Sequence, residues 1–81
     1  MTRDELQTIV AAELRRIAPD IDFADVDQNA DLREQFDIDS MDFLNLVIAL
    51  GKRFALPIPE TDYPRMASVS GLVDYLAEKR P

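Results

Sequence analysis

The sequence predicts an all-α fold: a small four-helix bundle of three main helices and one short helix, with a long acidic loop between the first and second helices. Three observations predict it. Apolar residues recur at helical spacing in three separate runs, start and stop residues bracket each run, and no pair of alternating runs joined by a turn signal offers a hairpin. The chain has 81 residues, 47% of them apolar. That suits one small domain over residues 1–81. A chain of this size buries only about 60–70% of its unfolded surface, so modest stability is expected.

The first helix is expected at about residues 3–17. Thr2-x-x-Glu5 has the form of a capping box. Behind it Leu6, Ile9, Val10, Leu14 and Ile17 repeat at helical spacing, with charges on the opposite side. Pro19 ends the helix by biasing Ala18 away from helical backbone. Residues 19–38 are rich in Asp and have no helical period, which is long for a loop in a compact domain. Ile21, Phe23, Val26, Leu32 and Phe36 are expected to peg this loop to the core, with one helical turn from Asp31 to Phe36. Asp39 then offers an N-cap, and Asp42 stands three residues on, where a carboxylate complements the helix dipole. The helix that follows runs from Ser40 to about Phe54. Its apolar residues Met41, Phe43, Leu44, Leu46, Val47, Ile48, Leu50 and Phe54 cover more than one face. A surface helix keeps a single stripe, so this one is either central or offers its second stripe to a partner. Leu56-Pro57-Ile58-Pro59 is an extended connector, and Pro64 limits a short helical segment from Thr61 to Met66. Ser68 caps the last helix. Val69, Leu72, Val73 and Leu76 form its core face, and Lys79 and Arg80 suit its C-terminal end.

Composition removes whole classes of chemistry. There is no Cys and no His, so the chain has no disulfide, no thiol nucleophile and no imidazole base or ligand. Zinc sites and Ser-His or Cys-His catalysis fall away, and no metal site is expected. The net charge of −7 sits in residues 20–42, where nine acids face one base, Arg33. That sign argues against nucleic-acid and anionic-membrane partners. The stretch reads either as a solvated loop or as a docking surface for basic partners, since clustered charge raises association rates roughly 10- to 1,000-fold at low salt. The nearly apolar run Phe43 to Gly51 falls far short of the ~20 residues of a membrane span. The first residues lack the apolar stretch of a secretory signal. A cytoplasmic monomer is expected.

Three readings from other classes compete, and the first two have specific weaknesses. Asp27-x-Asn29-x-Asp31 opens like an EF-hand loop, but Leu32 stands where the turn needs Gly and Ile38 where the loop needs Glu. A register starting at Asp20 and Asp22 also lacks that Gly, having Asp25 there. A two-carboxylate hydrolase needs a fixed acid pair across a cleft, and nothing in the sequence fixes one. A non-catalytic helical interaction module, with Ser40 only a helix-start residue, would use the second apolar stripe equally well.

Ser40 is the one candidate for chemistry. It follows the N-cap, at a helix end where a hydroxyl is reachable. Asp and Ser also gather at helix starts for capping alone, so the three residues Asp39-Ser40-Met41 settle little. The wider pattern is more specific. Phe36-Asp37-Ile38-Asp39-Ser40-Met41-Asp42 is followed by Leu44, Leu46-Val47, Leu50 and Phe54, then Ile58-Pro59 and the Val69 to Leu76 helix. In this pattern, and over nearly the whole chain, the sequence resembles the acyl carrier protein family.

The resemblance implies that Ser40 receives 4′-phosphopantetheine from coenzyme A through a separate, magnesium-dependent phosphopantetheinyl transferase, a holo-carrier synthase. Asp39 matches the family's aspartate that helps place metal and serine in that transferase complex. Acyl groups would ride as thioesters on the arm's thiol, and the protein would be a carrier with no catalysis of its own. Met41, Asp42, Leu44 and Ile48 would form the face that meets partner enzymes: acyl ligases, synthases or transferases of fatty acid, polyketide-type or other lipid and secondary-metabolite biosynthesis. Acyl chains in this family often enter the cleft between this helix and the others. The sequence departs from the family pattern of fatty acid synthesis carriers. Asp37 replaces a Gly, and Asn45, Gly51, Lys52 and Arg53 stand where acids are usual. These departures imply a specialised carrier. Phe43 is bulky where the family often has a small or polar residue.

Overall fold

In the computed structural model, which describes residues 2–79, α1 spans Arg3–Ile17. Its start is the capping box in full: the Glu5 N–H donates to Thr2 Oγ1 at 3.2 Å, and the Thr2 N–H donates to Glu5 Oε1 at 3.1 Å. At the other end Ala18 leaves the helical region with φ −142° and ψ 75°, as expected for the residue before Pro19. The remaining helices are α2 at Leu32–Gln35, α3 at Ser40–Phe54 and α4 at Val69–Lys79. Two 3-10 segments join them, Phe23–Asp25 and Glu60–Met66. Arg80 lies outside the described residues. Among those described, no helix is long and apolar enough to cross a membrane.

α1 packs against both α3 and α4, and α4 also packs against the Glu60–Met66 segment. Leu6, Val10 and Leu14 of α1 are buried against Leu46, Val47 and Leu50 of α3 and Val69, Leu72, Val73 and Leu76 of α4. Each such side chain stabilises the fold by roughly 1.5–3 kcal/mol through burial. Four further buried residues among those described lie outside the expected core: Glu13, Ile38, Met66 and Tyr75. Tyr75 shares the inner side of α4, and Glu13 is buried on α1, within the side expected to carry solvated charge. The Glu13 carboxylate accepts from Arg16 Nη1 and Arg53 Nη1, each at 3.3 Å, so it ties α1 to the last turn of α3.

The long acidic loop is ordered by specific bonds. Leu32 is fully buried, and Ile21, Phe23, Val26 and Phe36 pack partly buried on the core, as expected; Ile38 is a further buried anchor. The Leu32 N–H donates to the Ala67 carbonyl and the Ser70 N–H to the Gln28 carbonyl, both at 2.8 Å. Gln35 clamps the middle of the loop, with Nε2 donating to the Asp27 and Ala30 carbonyls. Four of the acids act as local acceptors: Asp22 for the Ala24 N–H, Asp27 for Asn29, Asp31 for Arg33 and Asp39 for Asp42. The EF-hand-like Asp27-x-Asn29-x-Asp31 spacing is therefore a turn followed by a helix cap. Asp and Asn favour such positions because their side chains reach the backbone N–H two or three residues on.

Candidate functional site

Ser40 is the first residue of α3 and is exposed. Its position is fixed from both sides. Ile38 is buried two residues earlier, and Asp39 is the N-cap, with φ −85° and ψ 176°. Asp39 Oδ1 accepts from the Asp42 N–H at 2.8 Å, and the Asp39 carbonyl accepts from the Phe43 N–H at 3.0 Å. The Ser40 hydroxyl has no hydrogen-bond partner among the described residues. It stands at the positive end of the helix dipole, which stabilises a nearby anion by about 0.3–1 kcal/mol when exposed.

Down α3 from Ser40, the expected partner face is open. Met41 is 63% and Ile48 44% exposed, and Leu44 between them is half-buried. At 3.6 residues per turn these three share one side of the helix. The opposite stripe, Leu46, Val47 and Leu50 with Phe54, faces the core. The breadth of apolar surface on α3 thus divides into a packed side and a presented one.

Beside Ser40 lies an open cleft of about 550 Å³, bordered by Ser40, Phe43, Leu44, Tyr63, Pro64 and Ala67, and by the charged Asp31, Arg33 and Glu60. Phe43 meets Tyr63 edge to face, with ring centroids 6.4 Å apart. That gives Phe43 a role: it is one wall of this cleft. A second apolar cleft of about 340 Å³ continues between α3 and the connector, bordered by Val47, Ile48, Gly51, Lys52, Leu56 and Ile58 among others. Tyr63 borders both clefts.

The segment carrying Tyr63 is pinned to α4. The Tyr75 hydroxyl donates to Asp62 Oδ2 at 2.7 Å, and the Arg65 guanidinium lies 5.1 Å from the Tyr75 ring centroid and pairs with Glu78. The bond to Asp62, helped by burial, pushes the Tyr75 hydroxyl up to about 12, so it stays a donor across the physiological range. Gly71 lets the two elements close: a Cβ there would collide with the Arg65 carbonyl oxygen. The Gly71 N–H also takes the Ser68 cap, donating to Ser68 Oγ at 3.0 Å.

The structure brings Ser40, Asp39 and Asp42 together at the start of α3 and sets Met41, Leu44 and Ile48 along one side of it. Sequence reasoning missed Arg33, Tyr63, Pro64 and Ala67 as neighbours of Ser40. For Arg33 a signal existed, because it is the one base among nine acids. Nothing in the residue pattern singles out Tyr63. The residues present fit a phosphopantetheine group: a hydroxyl at a helix N-terminus, unpartnered among the described residues, to take a phosphate ester, with a cleft of mixed apolar and polar lining beside it.

Comparison with known proteins agrees. The family described as phosphopantetheine attachment site matches residues 4–76. An acyl carrier protein of Campylobacter fetus is 32% identical over 73 residues, which is 90% of this chain and 88% of the relative. The polyketide-8 synthase acyl carrier protein 2 of Streptomyces avermitilis is 28% identical over 98% of this chain and 85% of its own length. The solution structure of a candidate acyl carrier protein from Anaplasma phagocytophilum superposes with a TM-score of 0.85 at 24% identity, covering 100% of this chain and 94% of that one; it shows a shared fold. By its family match and its sequence relatives, this chain belongs to the acyl carrier protein family.

Proposed function

We propose that this protein carries acyl intermediates on a 4′-phosphopantetheine arm joined to Ser40, and that it serves a specialised biosynthetic route. The arm supplies the thiol that the chain itself lacks. The observation that carries this reading is the exposed Ser40 hydroxyl, unpartnered among the described residues and held beside an open cleft by a capped helix start.

Each residue has a task set by its position. Ser40 Oγ forms a bond to the phosphorus that bears pantetheine as the pyrophosphate link of coenzyme A breaks, 3′,5′-ADP leaves with the bridging oxygen, and the serine proton passes to a base of the transferase. Asp39 keeps Ser40 in place through its cap and faces the magnesium-dependent transferase. Asp42 and the acids around it repel a bound phosphate, so they act as contacts for a basic enzyme surface. Met41, Leu44 and Ile48 supply an apolar centre for docking. The pair Lys52 and Arg53 in the last turn of α3 changes what a partner meets there. Arg53 is occupied by Glu13, whereas Lys52 is exposed and makes no ion pair among the described residues. A partner that reads acids along the whole helix is therefore mismatched at that end. This supports polyketide-type, lipid-modifying or other dedicated enzymes as users, in line with the polyketide synthase carrier among its relatives. No nucleic acid and no membrane takes part, and the carrier works as a cytoplasmic monomer.

Incubation with coenzyme A and a broad-specificity transferase tests the first part. The protein should gain one phosphopantetheine and Ser40→Ala none. An unchanged mass for the unsubstituted chain would leave a plain helical interaction module. Complementation in a strain lacking its main fatty acid carrier tests the second part, and full rescue of growth contradicts specialisation.

A further inference from the structure

We infer that Arg33 holds the phosphodiester formed at Ser40, and so seats the arm in the cleft walled by Phe43 and Tyr63. The inference rests on the reading of Ser40 as the attachment residue and adds a positioning residue to it.

Arg33 and Ser40 border the same cleft. Arg33 is the one base within residues 20–42, yet it forms no ion pair among the described residues with any of the nine acids there. Most other described bases are engaged: Arg3 with Asp74, Arg16 and Arg53 with Glu13, and Arg65 and Lys79 with Glu78. Arg15 and Lys52 are also without an ion pair among the described residues, but neither borders the Ser40 cleft. Asp31, which borders the same cleft, uses Oδ1 to accept the Arg33 backbone N–H at 2.8 Å. The guanidinium is thus left available on a rigid base, since the adjoining Leu32 is fully buried and its N–H is bonded to the Ala67 carbonyl.

Attachment puts a permanent negative charge at Ser40, among Asp39, Asp42, Asp31 and Glu60. Like charges destabilise it there, and among the described residues Arg33 is the only cation bordering the cleft. A guanidinium suits the task because its planar fork gives two parallel N–H bonds to phosphate oxygens, which a lysine cannot match. With the phosphate held, the hydrocarbon parts of the arm meet Phe43, Leu44, Tyr63 and Pro64. Asp31 and Glu60 are placed to accept from its amide N–H groups.

The test uses the loaded protein, with loading verified by intact mass. The Arg33 Nε–H resonance is followed by NMR in the unloaded chain, the loaded chain and Ser40→Ala treated identically. It should move and exchange more slowly with water only in the loaded chain, and the change should fade at about 1 M salt, where screening acts within ~3 Å. In loaded Arg33→Gln the phosphorus resonance should shift away from that of the unsubstituted protein, and Arg33→Lys should recover part of the difference. Arg33 is exposed, so an unchanged backbone spectrum is expected to show that both variants fold. Loading that leaves the Arg33 resonance unmoved, or a phosphorus resonance indifferent to Arg33→Gln, overturns the inference. Absence of loading would instead overturn the assignment of Ser40.

Discussion

Replacing Glu13 probes how the bundle holds the far end of α3. Its side chain is 6% exposed and bonds at 3.3 Å to Arg16, which is 74% exposed, and to Arg53, which is 49% exposed. Breaking a fully buried ion pair costs about 3–5 kcal/mol, because the surviving charge is stranded away from water. Neither guanidinium would be stranded here, since each can turn into solvent. What Glu13→Ala removes is two long charge-assisted bonds and a few methylene contacts, about 1–2 kcal/mol in all. For a domain of this size that lowers Tm by roughly 5–15 °C. Glu13→Leu removes the same bonds but refills the space with apolar volume, and should lie within about 1 kcal/mol of the unsubstituted protein. Thermal and urea unfolding followed by circular dichroism measure both. The first residue of α3 is about 20 Å from Arg53 along the helix, so the rate of arm transfer to Ser40 should be unchanged in either variant below its Tm. A loss above about 3 kcal/mol in Glu13→Ala, or a Leu variant as unstable as the Ala variant, refutes this account of a half-solvated tie.

Other expectations are equally specific. Ala55 ends α3 in the left-handed region at φ 53° and ψ 42°, where a Cβ costs about 1–2 kcal/mol. Ala55→Gly should therefore stabilise the protein by about 0.5–1 kcal/mol in a denaturant titration, after the entropy glycine adds to the unfolded chain. Tyr75 contributes stability that is whole below its unfolded value of 10 and lost as pH rises through about 12, because the unfolded chain ionises first. The alkaline limb of the stability profile should accordingly be shallower in Tyr75→Phe. Ser40→Ala should change Tm little, since Asp39 makes the cap, whereas Asp39→Ala should cost about 1 kcal/mol.

Much of this architecture is legible in the residues. The starts of α1 and α3 rest on short-range signals, Thr2 with Glu5 and Asp39 with Asp42, and the structure forms both bonds. Helical spacing correctly assigns Leu6, Val10, Leu14, Leu72 and Leu76 to the core. Periodicity could not divide the apolar residues of α3, because that division depends on which neighbours arrive. Packing against α1 covers Leu46 and Leu50 and leaves Met41 and Ile48 in the open. Polar burial was hidden for the same reason. The buried Glu13 is partnered in part by Arg53, forty residues away. The buried Tyr75 hydroxyl is satisfied by Asp62, thirteen residues away, which accepts its hydrogen bond. Glu60–Met66 forms a longer helical segment than Thr61 to Met66, but a 3-10 one, with Pro64 inside it. The acidic loop conceals its structure because Asp serves equally as a solvated charge, a turn former and a cap. In the folded chain Asp22, Asp27 and Asp31 each bond the N–H two residues on.

The most direct measurement is the intact mass of the protein taken from its own cell, followed by fragmentation of the peptide that contains Ser40. A phosphopantetheine on that serine, with or without an acyl group on its thiol, is the result expected. An unmodified chain throughout growth, or a group attached at any other residue, would contradict the account.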